Sequence, residues 1–194
     1  MTVTITHVYD DYGSAKNVVR ELENAGFTSD QVSVVGRKPS DQSGDESGEG
    51  TATGATLGGV AGAGAGLLAS LGLIAIPGIG PLVAAGVLAT TLAGAATGAV
   101  AGGILGALAD YGISKEEAPV YAESIRRGGT LVSVRAEEPR ADQVELIMRR
   151  HEPIDIKERG RAYRDQGWQS YDPNAPAYSE RETQEERERY RAIH

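Results

Sequence analysis

The sequence predicts an α+β fold: a ferredoxin-like βαβ…βαβ sandwich carrying an inserted Gly/Ala-rich antiparallel helical hairpin and ending in a largely disordered C-terminal tail. Three observations carry this reading. Residues 2–37 and 130–158 follow one plan, strand–helix–strand. Between them lie sixty consecutive positions, 50–109, without a charged side chain. Beyond residue 156 the chain turns strongly polar, with eight acids balanced by eight bases. The expected divisions are 1–37 for the first half of the sandwich, 38–53 for a flexible acidic linker and 54–110 for the hairpin. Residues 111–158 then hold a connecting helix and the second half of the sandwich, and 159–194 the tail.

Taken in order, Thr2 to Tyr9 is rich in β-branched residues and reads as a strand. A helix follows from about Ser14, placed as its N-cap, with Ala15, Val18, Val19, Leu22 and Ala25 at helical spacing. Gly26 supplies its stop. Gln31 to Gly36 is a second short strand. Residues 37–53 hold Ser, Gly, Asp and Glu with almost nothing apolar, as expected of a linker. Asp41, Asp45, Glu46 and Glu49 miss the calcium-loop spacing and read as solvated charges.

Inside the uncharged run glycine recurs every fourth residue: Gly54, Gly58, Gly62 and Gly66, then Gly94, Gly98, Gly102 and Gly106. Positions i and i+4 share one helix face, so each set makes a stripe free of side chains. Pro77-Gly78-Ile79-Gly80-Pro81 breaks the run between the sets. The stripes are mirror-placed about that break, Gly54 with Gly106 and Gly66 with Gly94, which predicts two helical arms closed by a glycine zipper. Residues 54–75 would span ~33 Å as a helix, against ~30 Å of bilayer hydrocarbon. Small residues at this spacing are what allow close approach of helices in lipid. The acidic flanks and the Gly/Ala bias oppose a bilayer span, and in the soluble reading the hairpin is buried in its own domain or in an oligomer. Both readings stay open at this point.

After the hairpin, Ser114 and Glu117 form a capping-box pattern ahead of a helix that reaches Gly128-Gly129. Thr130 to Ala136 is a third strand. A helix from about Arg140 places Val144, Ile147, Met148 and His151 on one face, and Ile154 to Ile156 is a short fourth strand. Two strand–helix–strand units make four antiparallel strands with two helices on one face. The second and third strands of that fold are neighbours, so a hairpin between them can leave and return at nearly one point. In the tail, Ser179 and Glu182 repeat the capping pattern before a charged segment without an apolar stripe. Trp168, Tyr171 and Tyr178 concentrate aromatics in polar surroundings and form a candidate docking motif, in cis or for a protein partner.

Chemistry is sparse. With no cysteine, disulfides and thiolate catalysis are excluded, and a net charge of −8 argues against nucleic acid as a partner. No P-loop, dinucleotide fingerprint or paired-histidine metal motif occurs. Of the three histidines, His7 lies on a strand near Asp10 and Asp11, His151 has a structural reason in the helix C-terminus it occupies and His194 belongs to no motif, while neither Ser14 nor Ser33 sits in a nucleophile elbow. No catalytic, cofactor-binding or metal residue is therefore assigned. Met1 to Ile5 lacks the basic start and apolar run of a signal peptide, which points to the cytoplasm.

The stretch T-I-T-H-V-Y-D-D-Y-G-S-A-K-N-V-V-R-E-L-E-N-A-G-F, followed by Q-V-S-V-V-G and the glycine-patterned run, resembles the YflT-type heat-induced or general stress protein domain family over about residues 2–158. The resemblance implies a bacterial general stress response and supplies no catalytic residue or ligand. The expected function is a non-enzymatic stress protein at the cytoplasmic face of the inner membrane. Its partners would be the lipid bilayer and further copies of itself, the hairpin serving both. The alternative is a soluble cytoplasmic homo-oligomeric scaffold or regulatory module with the hairpin as its core.

Overall fold

The chain alternates strands that are apolar on both sides with helices that are apolar on one, and it folds as three layers. The computed structural model describes residues 1–37, 72–76, 80–96 and 103–191. Its strands are β1 (Thr2–Tyr9), β2 (Val32–Gly36), β3 (Gly72–Ile76), β4 (Gly80–Ala85) and β5 (Thr130–Glu137). They form one antiparallel sheet in the order β1-β5-β2-β4-β3. β5 pairs with both β1 and β2, which therefore run parallel to each other across it, joined by α1 (Tyr12–Asn24). The remaining helices are α2 (Val87–Ala96), α3 (Gly103–Asp110), α4 (Ala118–Arg126), α5 (Ala141–Arg149), α6 (Ile156–Asp165) and α7 (Glu180–Arg191).

Side-chain alternation along the strands divides the core in two. Tyr9, Val34, Val132, Val134 and Ala85 pack beneath α1 and α5, with Val18, Leu22, Val144 and Met148 facing them. Val8, Val35, Leu131, Leu82 and Ala84 point to the other face and meet Leu88, Leu92, Ile104, Leu108, Tyr121 and Ile125 from α2, α3 and α4. Helices thus cover both faces, where the sequence predicts them on one. The additional layer comes from the second half of the uncharged run together with α4.

Local signals account for most of the element ends. Asp11, rather than Ser14, caps α1: its carboxylate accepts from the Ser14 N–H at 2.8 Å and so starts the helix at Tyr12. Gly26, with φ of 85°, ends the helix in the left-handed region. The Ser114–Glu117 and Ser179–Glu182 capping pairs form, and Glu117 and Glu182 N–H donate to the serine hydroxyls at 3.2 and 3.3 Å.

Four expectations are corrected. The break between the arms is a β-hairpin, with strands at 72–76 and 80–85 where the sequence predicts the ends of two long helices. The open edge of β2 offers pairing through Val34–Ala85, Val35–Ala84 and Gly36–Val83, and this tertiary pairing overrides local helix preference. The second arm, expected as one long helix after Pro81, holds among the described residues two shorter helices, α2 and α3, packed against each other. The fourth strand at 154–156 does not form. Ile154 N–H makes one 2.8 Å bond to the Val8 carbonyl, and Asp155 then caps α6 by accepting from Lys157 and Glu158 N–H. The tail, expected to be largely disordered, is helical over α6 and α7 and folds back on the body. The linker at 38–53 lies outside the described residues.

Gly86, at φ of 82°, turns β4 into α2, and a Cβ there would stand 2.3 Å from the Val32 carbonyl oxygen. Gly86→Ala is expected to cost about 1–3 kcal/mol from backbone strain alone and to lower the urea midpoint with an unchanged slope.

Candidate functional site

The most elaborate polar structure in the protein lies where the end of α4, α6 and α7 converge. Glu123 on α4 is 0% exposed, a position that demands compensation of its charge. Arg126 and Arg127, one helical turn on, supply it. Arg126 Nε and Nη2 donate to the Glu123 carboxylate at 2.8 and 2.5 Å, and Arg127 Nε donates at 2.7 Å. Arg127 Nη1 then reaches Glu186 on α7 at 2.8 Å. Arg189 joins Glu186 to Gln166 through bonds of 3.1 and 2.9 Å. Burial alone would lower the Arg127 pKa, but the bonds to Glu123 and Glu186 outweigh it and leave the guanidinium firmly cationic.

Aromatic rings frame these charges. Arg127 stacks 3.9 Å from the Tyr163 ring centroid, and Arg159 stacks 3.7 Å from Tyr190 while both its terminal nitrogens donate to Asp10. Burial pushes the Tyr163 hydroxyl up to about 12, and the neighbouring arginines and Ser124 only partly oppose it. Tyr163 is thus a neutral packing group at ordinary pH. α7 completes the enclosure with Thr183, Glu186, Arg187 and Tyr190 at helical spacing on its inner face. Arg187 donates to the carbonyls of Asp10 and Gly128 at 2.8 and 3.2 Å. Thr183 fits against Gly128, where a Cβ would lie 2.2 Å from its methyl group.

The candidate docking motif falls around this cluster. Trp168 meets Tyr163 edge-on at 5.9 Å between centroids, and Tyr171 is buried in the α2–α4 core. Tyr178 lies beneath Arg126 at 4.9 Å, and its carbonyl accepts from Arg37 at the end of β2. All three pack against their own chain. Of the zipper glycines, Gly94 sits on α2 and Gly106 on α3, both partly buried. Gly54, Gly58, Gly62, Gly66, Gly98 and Gly102 lie outside the described residues, and the mirror pairing with them.

The sequence reading did not single out Glu123, Arg126, Arg127 or Glu186. The Glu123–Arg126–Arg127 spacing is visible as i, i+3 and i+4 pairs; the contact to Glu186 spans 59 residues and has no local signal. The two described histidines make carboxylate pairs, His7 with Glu145 at 3.0 Å and His151 with Glu21 at 2.9 Å, and His194 lies outside the described residues. Among the described residues no three His, Asp or Glu side chains converge as metal ligands. A cleft of about 300 Å³ lies between Glu116 and Glu117 on one wall and Lys157, Arg161 and Arg164 on the other, with Val120 and Ile156 in its lining. It holds opposed charges. Comparison of the chain with protein-family models, curated proteins and solved structures finds no match.

Truncating one member of a buried ion network leaves its partners uncompensated. Arg127→Ala is expected to cost about 3–5 kcal/mol, read by urea denaturation. The exposed Arg181–Glu185 pair should lose less than about 1 kcal/mol on Arg181→Ala. A pH effect follows from Glu145. Burial raises its pKa, yet the bonds from His7 and Arg149 bring it below the ordinary 4.5. Its stabilisation is present above 4.5 and is lost as pH falls through the lower folded value. The gap in melting temperature between the native chain and Glu145→Gln should close over that acid range.

Proposed function

We propose that the protein is a non-enzymatic, self-associating scaffold or regulatory module of a bacterial general stress response, working in the cytoplasm. One observation carries the choice between the two earlier readings. Leu88, Leu92, Ile104, Ala107 and Leu108, from the second half of the uncharged run, are buried against the protein's own sheet. Offering this half to lipid would strip one face of the sheet. No helix among the described residues is long and apolar enough to cross a membrane.

The sandwich is read as a ferredoxin-like unit in which β1, β5 and β2 keep the split βαβ order and the inserted hairpin extends the β2 edge. The fourth strand is reduced to the contact at Ile154. The stress-response assignment rests on the resemblance of residues 2–158 to the YflT-type family. Self-association is assigned to the first of the two glycine stripes, Gly54, Gly58, Gly62 and Gly66.

Fractionation of the untagged protein, with high-salt and then carbonate washes of the membranes, tests the reading. Recovery in the supernatant as a discrete oligomer is expected, and Gly62→Leu should shift that oligomer toward monomer. Retention in a pellet released only by detergent would overturn it in favour of a bilayer hairpin.

A further inference from the structure

α7 is bound to the body in an unusual way. Its inner face is Thr183, Glu186, Arg187 and Tyr190, with no aliphatic side chain among them. Its hold comprises one buried ion pair, two bonds from Arg187 to backbone carbonyls, bonds linking Gln166 to Arg189 and Tyr190 at the rim, a threonine fitted to Gly128 and a phenol against Arg159 and Tyr163. Buried ion pairs roughly break even against desolvation, so such a helix is held more by specificity than by net burial. Segments with few apolar contacts open first.

The surface beneath it differs in kind. Arg127 is fixed there without help from α7, by Glu123 at 2.7 Å and by the Tyr163 ring at 3.9 Å. With α7 removed, Glu123, Arg126 and Arg127 carry one net positive charge, and Arg127 Nη1 points to where Glu186 stood. A second cation, Arg159, held by Asp10, presents its face to a ring one helical turn further on. A preoriented guanidinium is a receptor for a carboxylate, and a guanidinium face is a receptor for an aromatic ring.

We propose that the α4–α6 surface is a binding site for a partner protein's acidic helix, one presenting a carboxylate and an aromatic side chain four residues apart. α7 is its built-in occupant, which must lift for the partner to dock. The charge left on the surface selects an acidic partner. The connector is anchored through Tyr178, where Arg37 holds the carbonyl, so release pivots at Ser179 and leaves the rest of the tail in place. The inference goes beyond the scaffold reading and stands on the geometry of this surface alone.

The test uses the full chain and a fluorescent, end-blocked peptide of the sequence 179–191 as the probe. Glu186→Lys sets like charges against Arg127 and should release α7, seen as faster amide exchange confined to residues 180–191. The released chain should bind the peptide at least about tenfold more tightly than the native chain, whose own α7 competes at high effective concentration. Adding Arg127→Glu should abolish binding, and a peptide with Gln in place of the carboxylate matching Glu186 should bind at least about tenfold more weakly. If Glu186→Lys impairs folding, Tyr190→Ala gives a second way to open the site. Unchanged protection of α7 in the opened chains would overturn the proposal. So would failure of a released chain to bind the peptide, or binding indifferent to Arg127→Glu. A 1:1 complex between Arg127→Glu and Glu186→Arg chains would overturn the choice of partner in favour of α7 exchange between copies.

Discussion

The sheet is buried on both faces, and this constraint shapes the rest of the molecule. Val34 and Val35 on β2, and Leu131 and Val132 on β5, are adjacent residues facing opposite layers, and each is essentially inaccessible to water. Strands of that kind need helices on two sides. α1 and α5 serve one side and come from the regular strand–helix repeat. The other side has no such supplier in a four-strand, two-helix plan. The described second half of the uncharged run and α4 provide it, so that half is structural core before it is anything else.

This explains which parts of the fold were legible in the sequence. β1 matches its expected range, while β2 and β5 begin or end one residue from theirs, because β-branched content and turn residues mark them locally. Gly26 and the two Ser–Glu capping pairs were equally readable. The strands at 72–85 were not. Their composition suits a helix as well as a strand, and the open edge of β2 that decides the matter is more than thirty residues away in sequence. The lost strand at 154–156 turned on one side chain: Asp155 satisfies the first N–H groups of α6 and commits the chain to a helix.

The candidate site was less legible still, for a related reason. An apolar stripe announces burial, whereas the inner face of α7 is built from residue types that normally mark solvent. Glu186 is nearly inaccessible while its helical neighbour Glu185 is exposed, and nothing local separates the two. Trp168, Tyr171 and Tyr178 were noticed for their chemistry, and they do line this region, as the belt leading to α7. The charges that they frame were visible only as helical pairs.

The grip of Arg187 on the Asp10 carbonyl joins residues 177 positions apart. Contacts of this span are the last that a growing chain can make. β1, synthesised first, has no pairing strand until β5 emerges, and the surface formed by Arg127 and Arg159 stays bare until α7 has followed. The body can therefore take shape only once β5 is free to join β1 and β2, and its cationic face is covered only when α7, made after every other element of the fold, reaches it.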